Sequence, residues 1–409
     1  MKDVEFVNLL AVTAVGLVGP LLLGLRPSLR LPSVVLEIVL GIIVGPSLLD
    51  WVKIDEPVDV IALLGLAFLL FLAGMETDVH RLRGRTLHLA LLAYAFSLVI
   101  GLAAGLGFGA AEWVKSPVLV AIMLASTSSG LVASVLKGTG AIDTELGQTS
   151  MAGGAIADFG AVVLLSLAFS SSGGSTGGRA VLLATFGLVV AGVGVTVWFA
   201  MRSRDLRGVF ERLADTTAEI RIRAAVVLLV GFVALAEKFG LESILGAFLA
   251  GALIGFLDAD ASSHPHFRVK LEAIGYGFLI PVFFVTSGIR LDLRGLFASP
   301  SALLRVVLFT VALLVSRALP ALLYRKTFPR RHLLANGLLM ATSLPVIVSA
   351  TQIGMEEDLI TPVNGAALTC AGVLSVMIFP VLAVRLLQGG AMDRKGVPEH
   401  SRRPSGESA

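Results

Sequence analysis

The chain has 409 residues, of which 56% are hydrophobic and 15% charged, with a net charge of +3; an ordinary soluble domain carries about 25% charged residues. Mean hydropathy is +0.90 and the apolar excess runs along nearly the whole length, which excludes a soluble fold, a single-anchor protein and, outside roughly the last twenty residues, a disordered chain. The one cysteine, Cys370, lies in an apolar run, which excludes a disulfide scaffold.

A bilayer core of about 30 Å takes about 20 apolar helical residues per crossing. Thirteen candidate spans follow in chain order, at 5–25, 31–50, 57–76, 87–110, 117–136, 148–170, 180–201, 224–236, 240–258, 271–289, 300–323, 333–353 and 360–387. They predict an all-α polytopic membrane protein with its transmembrane domain over 1–387. The first run ends on "RPSLR" without a small-residue cleavage pattern, so it reads as a span rather than a signal peptide. Thirteen crossings put the termini on opposite sides. Alternation then places 22 Lys and Arg in the loops of one side, 7 on the other and 3 inside spans. The richer side is cytoplasmic by the positive-inside rule, with the N-terminus outside and the C-terminus inside. A bacterial inner membrane is the expected location.

Along the chain, the first notable acids are Glu37 in the second span and Glu76 at the cytoplasmic end of the third. The fifth span is interrupted by "STSSGLVAS" (126–134), where Thr127 and Ser128 precede the helix breaker Gly130. Asp158 stands near the middle of the sixth span with no basic residue within ten positions on either side. A carboxylate at that depth costs at least about 2.5–3.5 kcal/mol, so such a residue is a functional candidate by default. The span at 180–201 reads as a linker helix and 203–221 as a cytoplasmic surface helix, with Leu206, Val209, Phe210 and Leu213 at helical spacing. His264 and His266, flanking Pro265, read as exposed loop histidines. Arg317 is the deepest basic residue, in the eleventh span, and needs a partner; Glu37 or Glu76 is expected to form an ion pair with it. The twelfth span carries "ATSLPVIVS" (341–349), with Thr342, Ser343 and the breaker Pro345. Residues 388–409 read as a disordered cytoplasmic tail.

The two interrupted spans align with each other at a shift near 215 residues, Thr127 with Thr342, Ser128 with Ser343 and Gly130 with Pro345. Nearby shifts bring Gly41 and Gly45 onto Gly251 and Gly255, and Gly74 onto Gly288. The order of these matches predicts two six-helix repeats, about 5–170 and 224–387. Equivalent helices are seven crossings apart, so the repeats are inverted, an architecture of secondary transporters. Backbone groups freed at the breaks must be satisfied internally, because lipid offers no partner. The two spans are expected to cross as discontinuous half-helices, the alternative being Ser and Thr bonded to their own helix with Pro345 as a plain kink.

The low dielectric around Asp158 penalises its charged form, and either a proton or a bound cation relieves the penalty. One such site is the minimal device for exchanging them. The position equivalent to Asp158 in the second repeat falls near Val373, so one acid carries the exchange. The expected partners are a monovalent cation, Na+ or K+ at Asp158 beside Thr127 and Ser128, a proton and the bilayer, with no nucleic acid and no cofactor. No phosphate-binding glycine loop or metal-spaced His or Cys cluster is present, and the protein is not expected to be an enzyme. A sodium-coupled solute symporter is the alternative, and a cation channel a more distant one.

Four ordered segments, "LPSVVLEIVLGIIVGPSLLD", "LGLAFLLFLAGMETD", "ESILGAFLAGALIG" and "FLIPVFFVTSGIRLDL", resemble signature segments of the sodium/hydrogen exchanger domain in the second cation:proton antiporter family. The resemblance covers about 5–387. It implies proton-coupled exchange of Na+ or K+, a dimer, and a core domain with crossed fifth and twelfth helices beside a dimerisation domain. It also implies that Asp158 is the ion-binding aspartate of the sixth helix and that Thr127 and Ser128 are the polar break of the fifth. Ala157 stands where well-known members place Asp or Asn, and 271–289 has no internal Lys, which electrogenic members have. Both departures favour one proton per cation. Potassium efflux relatives append a soluble nucleotide-binding domain; with only about twenty polar residues after 387, that gating is not expected within this chain.

Overall fold

The structure is a computed structural model, and it describes residues 6–25, 32–76, 84–169, 176–202, 218–257, 265–298 and 300–394. The first half is built from α1 (Val7–Leu25), α2 (Ser33–Val44), α3 (Glu56–Glu76) and α4 (Gly84–Ala110), followed by α5 (Pro117–Ala125), α6 (Ser129–Gly138) and α7 (Glu145–Phe169). Helix α8 (Thr176–Arg202) joins it to the second half. There α9 (Ile220–Lys238) and α10 (Ser243–Leu257) precede α11 (Pro265–Ile274), a π-helical turn at Gly275–Leu279, and α12 (Ile280–Ile289). The chain ends with the short α13 (Leu293–Phe297), α14 (Pro300–Ala318) with a 3-10 turn at Leu319–Tyr324, α15 (Arg330–Met340), α16 (Pro345–Glu356) and α17 (Pro362–Arg394).

Among the described residues nine helical stretches are long and apolar enough to cross a bilayer, and three shorter apolar helices stand beside them. Every expected span falls on a helix. Two of the nine stretches, Pro117–Gly138 and Arg330–Glu356, are the interrupted ones. Helix α17 runs on to Arg394, past the expected start of the tail at 388, and the rest of that segment lies outside the described residues. The expected surface helix at 203–221 lies almost entirely outside the described residues, as does His264; His266 belongs to the first turn of α11.

Apolar helices in lipid gain nothing from hiding from their apolar solvent, so their association depends on close backbone approach and internal polar bonds. Glycine provides that approach here, and its pattern reveals the symmetry. A Cβ added at Gly41 of α2 would overlap the Val285 carbonyl of α12, and one at Gly288 of α12 would overlap the Ile38 carbonyl of α2. Helices α3 and α10 interlock in the same way, Gly74 against the Phe248 carbonyl and Gly251 against the Phe71 carbonyl. Gly41 and Gly251 are repeat equivalents, as are Gly74 and Gly288. The two interlocks are therefore one contact made twice with the partners exchanged, as a two-fold relation between repeats requires.

Helices α4 to α7 and α14 to α17 form a second body. Helix α4 packs on α5 and α7, while α14 and α15 pack on α17. At one end this body is tied by an isolated bridge between Val114 and Ile360, by Lys115 bonded to Asp358 at 2.9 Å, and by Arg305, which bonds Asn364 and lies over the Trp113 ring. The two interrupted stretches meet at its centre.

Candidate ion-binding site at the crossed helix breaks

Pro117 at the first helical position and Ser116, whose side chain accepts from the Leu119 N–H at 3.3 Å, start α5. The helix stops at Ala125 and leaves 126–128 extended before α6 resumes at Ser129. In the second half α15 stops at Met340, and Pro345, which has no N–H to lose, opens α16.

The freed groups satisfy one another across the crossing. The Ser128 N–H donates to the Thr342 carbonyl at 2.8 Å, and the Ser126 and Ser343 hydroxyls share a hydrogen bond of 2.6 Å. The Thr127 hydroxyl donates to the Met340 carbonyl at 2.7 Å. The expected crossing is therefore made by direct bonds between the breaks, and Pro345 starts a half-helix rather than bending a continuous one. Gly130 lies within the first turn of α6, just beyond the extended residues, with Glu76 close against it.

Two charges complement the half-helix ends. Asp158 of α7, 5% exposed, accepts the Ser129 N–H at 3.2 Å. It thus faces the N-terminal, positive end of α6. Arg317 of α14, also 5% exposed, donates from Nε to the Met340 carbonyl at 3.2 Å, from one Nη to Ser97 at 3.1 Å and from the other to Thr127 at 2.5 Å. It faces the C-terminal, negative end of α15. Carboxylate and guanidinium are held at opposite poles of the crossing.

The expected ion pair of Arg317 with Glu37 or Glu76 is not made among the described residues. Arg317 uses its fork on a carbonyl and two hydroxyls of the crossing instead. Glu37 is buried beside Ser33 and against Gly19, and Glu76 stands 3.9 Å from Arg268. Depth in the sequence matched these acids to Arg317, but the helices that carry them pack on α12 and α10, away from α14.

A cavity of about 500 Å³ reaches the site. Its lining includes Pro32, Ser33 and Glu76 together with Ser128, Ser129 and Asp158. Ser128 spends no hydroxyl bond on capping α6. Thr127 also borders the cavity, but its hydroxyl is already donor to Met340 and acceptor from Arg317. Ser129, Ser97 and Ser375 are site residues that the sequence does not single out; Ser375 accepts the Ser343 N–H at 3.1 Å. Lone serines within the apolar runs of the fourth and thirteenth spans were the available signal for Ser97 and Ser375.

A carboxylate at a half-helix terminus, opposite a buried guanidinium and reached by a cavity, is an arrangement for binding a small cation or a proton. The sequence profile of the family described as "Sodium/hydrogen exchanger, transmembrane" matches residues 13–389. The chain belongs to this sodium/hydrogen exchanger family. Its members are monovalent cation:proton antiporters, transporters rather than enzymes. YjbQ of Bacillus subtilis is 31% identical over 401 residues, covering 94% of this chain, which spans only 64% of that relative. The Na+/H+ antiporter of Enterococcus hirae is 25% identical over 92% of this chain and 97% of its own. The Na+/H+-K+ antiporter GerN of Bacillus cereus is 27% identical over 66% of this chain and 68% of its own. Among solved structures, the sodium proton antiporter MjNhaP1 of Methanocaldococcus jannaschii superposes with a TM-score of 0.64 over 95% of this exchanger-family chain and 98% of its own, at 16% identity, a likeness of fold.

Proposed function

We propose that this chain exchanges a monovalent cation, Na+ or K+, for protons at Asp158, one proton per cation. The observation that carries the reading is the placement of Asp158, buried at the N-terminus of α6 and bordering the cavity. At that position the carboxylate holds either a proton or a cation supported by Ser128 and the break carbonyls, and it does not hold both at full strength. Thr127 and Arg317 keep the crossing in register, Arg317 by neutralising the carbonyl end of α15. Family membership and relatives named as Na+/H+ or Na+/H+-K+ antiporters support this assignment.

The cavity that borders Asp158 is also lined by Pro32 and Ser33 at the start of α2 and by Glu76 at the end of α3, the side that the basic-loop partition assigns to the cytoplasm. This conformation then faces inward. Alternating access follows if the body containing α4 to α7 and α14 to α17 moves against the glycine-interlocked helices, carrying Asp158 to the opposite side. Thirteen crossings with the N-terminus outside, a homodimer and a bacterial inner membrane complete the proposal.

In proteoliposomes with an internal pH dye, an inward Na+ or K+ gradient should drive proton efflux, and Asp158→Asn should abolish it. Undiminished flux in that variant would falsify the assignment. One-for-one exchange should also be insensitive to a valinomycin-set potential, and an accelerated rate under that potential would overturn the stoichiometry.

A further inference from the structure

The exchange scheme uses one carboxylate, yet the cavity holds a second. Glu76, the last residue of α3, borders the same space as Asp158 and is 26% exposed, so it meets both the cavity and water. Its Oε2 stands 3.1 Å from where a Cβ on Gly130 would be. Asp158 is bonded to Ser129, the residue just before. Carboxylates from α3 and α7 thus close on adjacent residues in the first turn of α6, and that ten-residue half-helix presents its positive end there.

Among the described residues, the charged groups around Glu76 hold it only loosely. Arg268 stands 3.9 Å away and is held more closely by Glu272, at 3.2 Å. Lys137, in the last turn of α6, acts from a distance, and Tyr276, from the π-helical turn, borders the cavity without charge. The absence of a side chain at Gly130 keeps the carboxylate close to the break.

We propose, resting on the reading of Asp158 as the exchange site, that Glu76 is a second cation-binding carboxylate of the transport path, which holds the entering Na+ or K+ beside Gly130 before Asp158 takes it. The competing role is structural, as the partner of Arg268 alone.

The two roles separate in proteoliposomes by the cation dependence of proton flux, measured with NaCl and with KCl. Glu76→Gln should raise the apparent KM for the cation about tenfold, equivalent to roughly 1.4 kcal/mol of binding. Arg268→Gln should leave that KM near the parent value. Gly130→Ala, whose Cβ displaces the carboxylate by a few tenths of an ångström, should give a smaller rise. An unchanged KM in Glu76→Gln, or the same rise in Arg268→Gln, overturns the proposal. If Glu76→Gln does not fold, Glu76→Asp, which draws the carboxylate back by one methylene, replaces it, and an unchanged KM there is equally fatal. Failure of the Asp158 assignment looks different, as flux that persists in Asp158→Asn whatever the Glu76 variants do.

Discussion

The two helix breaks share a backbone plan and differ in what closes it. At the first, the N-terminus of α6 is met by the carboxylate of Asp158, deep in the protein and reached by the cavity. At the second, the N–H of Ser343, just ahead of α16, is met by Ser375, a neutral hydroxyl whose single proton goes to either the Ser343 or the Gly372 carbonyl. The repeat therefore supplies a symmetric scaffold, and the site is placed on it asymmetrically. On the proposed reading, the charge at one break serves exchange, and the neutral hydroxyl at the other holds the crossing together.

The largest effect that tests this contrast is on transport. Asp158→Asn should reduce exchange to background while melting in detergent stays equal to or above the parent. The Asn carbonyl still accepts the Ser129 N–H, and the variant buries no charge. Ser375→Ala should do the reverse, keeping exchange and losing roughly 1–3 kcal/mol of stability through the orphaned Ser343 N–H. Exchange lost in both variants alike would erase the distinction between a transport break and a structural one.

Next in size is the pole opposite Asp158. Arg317→Ala removes three hydrogen bonds from a charged donor, to the Met340 carbonyl, Ser97 and Thr127, at roughly 1.5–3 kcal/mol for each such bond, and should lower the melting temperature more than Ser375→Ala does. Arg317→Lys should not restore it, because one ammonium on a flexible stem does not reproduce a planar fork reaching three acceptors. Thr127→Val removes both the bond to Met340 and the acceptor for Arg317, whereas Thr127→Ser keeps them. Thermal melts in which valine and serine at 127 behave alike would remove Thr127 from this network.

Much of the scaffold was legible because membrane depth and helix breaking are written locally. Asp158 stood out by the cost of its position, and "STSSGLVAS" and "ATSLPVIVS" by their interruption of apolar runs. The matched glycines pointed to a repeat, but only the packing shows that Gly41 meets α12 and Gly251 meets α3. What was not legible is which helix faces lie together. Arg317, Glu37 and Glu76 were matched by depth alone. Depth does not distinguish a guanidinium aimed at a carbonyl end from one aimed at an acid on a helix that packs elsewhere. The same limit hid Ser129, whose N–H matters only because α7 brings Asp158 to it.

The smallest effect concerns the far end of the neutral half-helix. Helix α16 ends at Glu356, and the charges of Glu356 and Glu357 bear on Glu242, in the loop ahead of α10. Burial first, and then the charges of Glu357 and Glu356, push the Glu242 carboxyl from 4.5 up to about 7. The folded protein thus binds this proton more tightly than the unfolded chain does, so stability falls as pH rises from 4.5 towards 7 and stays reduced above it. Acids at a helix C-terminus also oppose its dipole, the opposite of the arrangement that seats Asp158 at an N-terminus. Glu242→Gln should therefore raise the melting temperature at pH 8 and have little effect at pH 4, flattening the slope between them. A gain of equal size at both pH values would mean that the side chain, rather than its charge, sets the cost, and that the two ends of the half-helices are not electrostatic counterparts.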